Sequence, residues 1–209
     1  MKQIKRIQAE VINGNIAAMA VDAVIVPQFN SCASYGGVGG AMARSGARSG
    51  LDEYDTHAQK HPLAFGEAFM TASGGGYSKY LLHVATVGCD DDKAFAAIGC
   101  AVYKALHLAD NAGLKTIAVP AVGNGIIGCL TMEQSAKVVF AAVARFAEQA
   151  TSVEKVSMVI YGSSAEAQSA REVLDKGTYL NITDEVGQKK FDFAEWAIGF
   201  SKDLAGEDY

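Results

Sequence analysis

The chain has no excess of positive charge: 18 lysines and arginines against 23 aspartates and glutamates leave a formal net charge of −5. That excludes a general nucleic-acid or membrane-surface binder, since both need a basic patch. No apolar run approaches the ~20 residues a membrane span requires. The first residues, Met1-Lys2-Gln3-Ile4-Lys5-Arg6, carry basic side chains without an apolar core behind them, so no signal peptide is expected. The four cysteines, Cys32, Cys89, Cys100 and Cys129, form no C-x-x-C pair and read as free thiols of a reducing cytoplasm. Internal repeats, low-complexity runs and linkers are missing too. With 209 residues, half of them hydrophobic, the chain is long enough for one α/β domain with a full core.

What it has instead is glycine in two places. Tyr35-Gly36-Gly37-Val38-Gly39-Gly40-Ala41-Met42 follows the apolar run Ala23-Val24-Ile25-Val26 and precedes a helical segment. Four glycines in five residues strip the Cβ atoms from one side of a loop, so its N–H groups can approach a ligand closely. The helix that follows adds partial positive charge at its N-terminus. A second such stretch, Gly123-Asn124-Gly125-Ile126-Ile127-Gly128, comes after Thr116-Ile117-Ala118-Val119-Pro120. Two glycine-rich turns, each behind a buried strand, suggest one diphosphate clamp with two jaws.

The remaining elements follow from periodicity. One mixed strand is expected over residues 4–12, then a turn at Asn13-Gly14-Asn15 and a short helical turn at 16–19. Helices are expected at 40–49 and 51–60, the second stopped by Pro62. Strands are expected at 66–72 and 79–86, joined through Ser73-Gly74-Gly75-Gly76 as a hairpin or loose turn. Helix 93–112 ends before Gly113, helix 131–150 opens with a Thr131/Gln134 capping box, strand 156–161 follows, and helix 164–175 starts behind Ser163 or Ser164. Residues 185–204 read as an amphipathic helix holding Phe191, Phe193, Trp196 and Phe200, docked on its own domain. Alternating strands and helices imply a mixed or parallel sheet covered on both faces, with the ligand crevice at one edge.

Several residues invite a sharper reading than they sustain. His57 and His61 stand at i, i+4 without a third ligand, so a solvated helix face is preferred and no metal is expected. His83, inside an apolar strand, reads as a satisfied structural histidine. Cys32 and Cys129 lack a placed base and read as packing residues. Asp22 reads as a strand-entry cap, with its role left open. Asp90-Asp91-Asp92 read as a helix cap.

In ordered pieces over residues 11–175, the chain resembles the macro domain, a module that binds ADP-ribose. Gly14-Asn15-Ile16 with Val21 to Val26 is similar to the family's G-D-I … V-D-A-I-V-N, and Asn30 to Ala41 to its asparagine-then-glycine loop. Gly66-Glu67-Ala68 with Thr71, then Tyr80-Leu81-Leu82-His83, match G-E-A-x-x-T and Y-I-I-H. Residues 117–122 leading into Gly125-Ile126-Ile127-Gly128 resemble I-A-F-P-A-I-S-T-G-V-Y-G. The resemblance implies a three-layer α/β/α fold with a central mixed sheet over residues 1–180, ADP-ribose lying across the C-terminal edge of its strands, and a helical extension at 181–209.

It also implies roles. Asn15 stands where the family has an aspartate accepting from the adenine amino group, and Ile16 would offer its N–H and side chain there. Asn30 would bind the distal ribose, or else bond its own backbone in a turn; it is also the candidate catalytic residue. Gly36, Gly37, Val38, Gly39 and Gly40, with Val122, Gly123, Asn124, Gly125, Ile126, Ile127 and Gly128, would surround the diphosphate. Tyr161 would cover the adenine face, or Ile160 or Ser163 in its place. The implied partners are ADP-ribose or an ADP-ribosylated protein or nucleotide, without cofactor or membrane, in the cytoplasm; the oligomeric state is left open.

Departures bear on the activity. The first asparagine of N-A-A-N is Pro27, the alanines are Gln28-Phe29, and the aspartate of G-V-D-G aligns with Gly39, which has no titratable group. Ile127 replaces the second loop's aromatic, and Phe29 is a candidate stacking residue in compensation. Binding of ADP-ribose is the leading expectation. A hydrolase of ADP-ribosyl or ADP-ribose phosphate substrates is the alternative, and would need substrate phosphate or a carboxylate such as Asp22 or Glu67 as base. A degenerate interaction module, its crevice filled by Phe29 or Ile127, is the third.

Overall fold

The computed structural model describes residues 1–88, 91–125, 128 and 130–181, without the side chains of 91–93, 180 and 181. Outside them lie the expected C-terminal helix with Phe191, Phe193, Trp196 and Phe200, together with Cys89, Asp90, Ile126, Ile127 and Cys129. Among the described residues, no helix is long and apolar enough to cross a membrane.

In the described residues seven strands form one sheet: β1 (Lys2–Ile4), β2 (Ile7–Asn13), β3 (Ala23–Phe29), β4 (Ala68–Ala72), β5 (Tyr80–Val87), β6 (Thr116–Pro120) and β7 (Lys155–Ile160), in the order β1-β2-β7-β6-β3-β5-β4. The five central strands are parallel; β1 and β4 run antiparallel at the edges. Among the described residues the α-helices are α1 (Gly37–Met42), α2 (Arg48–Lys60), α3 (Asp91–Asn111), α4 (Met132–Phe146) and α5 (Ser164–Lys176).

Strand alternation divides the side chains between two cores. Ile25, Leu82, Val84, Ile117, Val119, Val156 and Met158 pack with α3, α4 and α5. Val24, Val26, Leu81, Ala118 and Val159 face the opposite way and pack with Met42, Ala47 and Leu51 of the α1–α2 layer. Helices therefore cover both faces, giving an α/β/α sandwich. The capping box of Thr131 and Gln134 opens α4, and that of Ser163 and Glu166 opens α5.

Three local expectations are corrected. Residues 4–12 are not one strand: Lys5 takes a positive φ of 51° and the chain folds back, so β1 pairs with β2. The break between the helices after the first glycine stretch falls at Gly46, with φ 110° inside a wide turn over Ala43–Ala47. Gly50 instead lies within α2, where a Cβ would press on the carbonyl of Ala72. Finally, the stretch read as a glycine loop is only half loop, because α1 already begins at Gly37.

Asp22 fixes the end of the sheet away from that glycine stretch. Its Oδ2 accepts from the backbone N–H groups of Lys115 and Thr116, both at 3.0 Å, and from the Thr116 hydroxyl at 3.1 Å. Its Oδ1 pairs with Lys79 at 2.7 Å. Burial pushes the carboxyl pKa up, but these donors outweigh it and hold it down to about 2. The carboxylate thus ties the starts of β3, β5 and β6 together, which makes it the strand-entry cap that was expected.

Candidate functional site

The site begins where the sheet splits. β3 pairs with β6 only through Ala23 and Val24, yet stays with β5 as far as Phe29, with an irregularity between Gln28 and Phe29. Past Val24, β3 and β6 part. Pro27, without an N–H, suits a segment that has lost a neighbour on one side. The gap opens at the C-terminal edge of the parallel strands, the usual ligand position in such sheets.

A cavity of about 310 Å³ occupies the gap. One wall is the start of α1 with the loop before it: Ser34, Gly36, Gly37 and Val38. The other is the loop after β6: Pro120, Ala121, Gly123, Gly125 and Gly128. The end of β5 (Thr86, Val87, Gly88), Pro27 and Ile98 of α3 complete the lining. The side chains are apolar apart from two hydroxyls. No carboxylate, imidazole or cation lines it among the described residues, which leaves two hydroxyls and the backbone as its polar lining.

The two glycine stretches meet here, and their glycines divide by task. Gly36 and Gly37 are exposed and face the cavity, and Gly37 holds a φ of 47° with open space where a Cβ would stand. Val38 lines the same wall. Gly39 and Gly40 are buried in α1, and a Cβ at either would collide with the carbonyl of Ser34 or Tyr35. In the second loop Gly123 has a φ of 82°, and Gly123, Gly125 and Gly128 line the cavity. Val122 is buried, its carbonyl accepting from the Ser135 hydroxyl at 2.8 Å, and Asn124 braces the loop through Nδ2 to the carbonyl of Leu130 at 2.9 Å. Ile126 and Ile127 lie outside the described residues.

The other expected residues stand along the same edge but do not line the cavity. Asn15 caps the short helical turn Ile16–Ala18, its Oδ1 accepting from the Ala17 N–H at 3.1 Å. Ile16 is buried in the smaller core. Tyr161, directly after β7, is 87% exposed. Asn30 follows β3 half-buried, and its carbonyl accepts from Leu63 N–H at 2.9 Å. Phe29 packs its ring beside Gly88.

The candidate bases are placed elsewhere. Asp22 is at the opposite sheet edge, and Glu67 is paired with Lys104 of α3. His57 stacks on Phe69 at 4.2 Å, and no group of three or more His, Cys, Asp or Glu among the described residues is arranged to hold a metal. His83 is fully buried between Gln28, 3.1 Å from its Nδ1, and Thr71, 2.9 Å from its Nε2. Burial lowers its pKa to about 3, so the ring is neutral.

Sequence reasoning passed over Ser34, Thr86, Val87, Gly88 and Ile98. Thr86 to Gly88 end a strand adjacent to β3, which periodicity alone does not tell. Gln28 was noted only as standing in for an alanine; a carboxamide directly behind an apolar run was the available sign of a buried polar partner.

Comparison with known proteins agrees with this fold. The Macro domain family model matches residues 29–139. A macro domain-containing protein of Methanosarcina mazei is 30% identical over 168 residues, spanning 79% of this chain and 87% of its own length. The solved structure of the Oceanobacillus iheyensis macrodomain with ADP superposes with a TM-score of 0.75 at 18% identity, over 85% of this chain and 95% of that one. The Trypanosoma brucei macrodomain in complex with ADP-ribose gives 0.65 at 20% identity, over 78% of this chain and 68% of that one. At such identities the structural likeness speaks for the fold.

Proposed function

The chain belongs to the macro domain family, and from that premise we propose that it binds ADP-ribose, free or attached to a protein or nucleotide, with the diphosphate held by backbone N–H groups of the two glycine stretches. The observation that carries this reading is the cleft between β3 and β6, walled on both sides by glycine backbone and free of charged side chains among its described lining residues. A negative net charge suits such a site, since the anion is met by oriented amides and not by a basic surface.

The spacing of the strand ends suits a ligand of this length. From β2 to β3 the edge crosses three strand spacings of about 4.8 Å, roughly 14 Å in all. A base lying by Asn15, Ile16 and Tyr161 at the β2/β7 end would leave its diphosphate at the β6/β3 cleft. A distal ribose would then reach Asn30 and the β5 end. Related macrodomains solved with ADP and with ADP-ribose lend support.

Hydrolysis is the less favoured reading. A general base must reach the water it activates, and both carboxylates considered for that role are engaged away from the cavity, Asp22 with Lys79 and Glu67 with Lys104.

A thermal-shift titration with ADP-ribose, run beside AMP, NAD and ribose 5-phosphate, tests the proposal. Ligand at a hundredfold excess over its dissociation constant adds about 2.7 kcal/mol of stability. A shift selective for ADP-ribose is expected. No shift with any of the four overturns it, and release of product from an ADP-ribosylated substrate would favour the hydrolase.

A further inference from the structure

Ser34 lines the cavity, and its N–H is held from inside the protein. It donates to Oε1 of Gln28, a residue with no solvent exposure. Because an N–H occupies that oxygen, the amide nitrogen of Gln28 must face His83, whose Nδ1 lies 3.1 Å away and so accepts. The ring proton is therefore on Nε2, which donates to the Thr71 hydroxyl at 2.9 Å. Thr71 in turn donates to the carbonyl of Gly50 in α2 at 3.2 Å. The direction of each bond in this buried file follows from the one before it.

The file has flanking supports. Tyr54 of α2 stacks on His83 at 4.5 Å and donates its hydroxyl to the carbonyl of Phe29 at 2.7 Å. Asp55 accepts from the N–H of Ala33 at 2.8 Å. The loop is thus held by α2 at Phe29 and Ala33, yet at Ser34 only Gln28 reaches it from the sheet among the described residues.

We infer that Gln28 is a positioning residue for the ligand site: through its bond to Ser34 it sets where the first glycine stretch begins, and so the width of the cleft. The affinity part of this inference rests on the ADP-ribose reading above; the structural part does not. Methionine matches glutamine in length but offers no acceptor, so Gln28→Met leaves the Ser34 N–H and His83 Nδ1 unpaired. Glutamate keeps an acceptor for the Ser34 N–H and, with its buried carboxyl protonated, also a donor for His83 Nδ1, so Gln28→Glu retains both bonds.

Two measurements on the full chain decide the matter: hydrogen exchange at the Ser34 amide, and the dissociation constant for ADP-ribose. In Gln28→Met, Ser34 is expected to exchange about tenfold faster and ADP-ribose to bind about tenfold more weakly, the worth of one lost buried bond. Gln28→Glu is expected to restore both. Should Gln28→Met fail to fold, Gln28→Asn, one methylene short of Ser34, carries the same expectation. Wild-type exchange at Ser34 in either shortened or apolar variant overturns the inference. So does faster exchange with undiminished affinity, since the bond would then be structural only. If the wild-type protein does not bind ADP-ribose at all, the functional reading falls, and Ser34 exchange still judges the contact.

Discussion

Gly39 lies directly against Ser34: a Cβ added at Gly39 would overlap the Ser34 carbonyl oxygen. The four glycines of the first stretch therefore serve two purposes. Gly36 and Gly37 open backbone to the cavity, whereas Gly39 and Gly40 let α1 pack on the loop that leads into it. The position that aligns with the family's aspartate is thus filled by backbone contact and is no vacancy beside the cavity.

Substituting Gly39 should accordingly harm the fold without creating a base. Gly39→Ala is expected to cost about 1–3 kcal/mol by overpacking, and Gly39→Asp at least as much. Urea denaturation gives the first figure; a turnover assay of Gly39→Asp should show no gain in ADP-ribose release. An aspartate variant that folds normally and hydrolyses substrate would refute this account of the position.

His83 makes stability depend on pH. Its folded pKa is about 3, against 6.5 for the free side chain, because burial penalises the imidazolium. The unfolded chain therefore takes up a proton that the folded one refuses. The contribution of His83 is complete above about pH 6.5 and is lost as the pH falls from there towards about 3. A His83→Gln variant should show a flatter fall in urea midpoint between about pH 7 and pH 4. Parallel curves for the two proteins would rule His83 out as the source.

Asp22 acts in a lower window. Donors from Lys79, Lys115 and Thr116 outweigh burial and lower its pKa from 3.8 to about 2. Its stabilisation is present above about pH 4 and disappears as the pH falls through about 2. Asp22→Asn is expected to lose about 2 kcal/mol at neutral pH, from a shift of roughly two pKa units. The gap to wild type should close towards pH 2. A gap independent of pH would mean that packing, and not charge, accounts for the loss.

How far these features could be read in advance depended on how local they are. The apolar runs at 23–26 and 116–119 announced buried strands, and the capping box at Thr131 announced the helix behind it, because each signal lies within one element. The cleft does not: it exists because β3 leaves β6 after Val24 while holding β5, a relation among three distant segments. The Gln28–His83 pair is hidden for the same reason, its members being 55 residues apart. The turn at Lys5 was missed because no glycine or asparagine marks it, although its φ is positive. Glycine pattern pointed to the two stretches that wall the cavity but could not separate the glycines that face it from those that pack.

Tyr161 offers the cleanest separation of ligand from fold. It is 87% exposed at the end of β7, beside the Gly14 N–H bond to the carbonyl of Ile160 at 2.9 Å that brings the Asn15 turn alongside. An aromatic ring left in solvent contributes little to folding, so Tyr161→Ala should change stability by no more than about 0.5 kcal/mol. A base stacked on that ring is worth about 1–3 kcal/mol, so the same variant should weaken ADP-ribose binding by about tenfold or more. Ribose 5-phosphate, which has no base, should show no dependence on residue 161. Calorimetric titration of both ligands against both proteins tests this directly. Equal loss for the two ligands would place the effect in the cleft and not at a base platform, and no loss for either would leave Tyr161 outside the site.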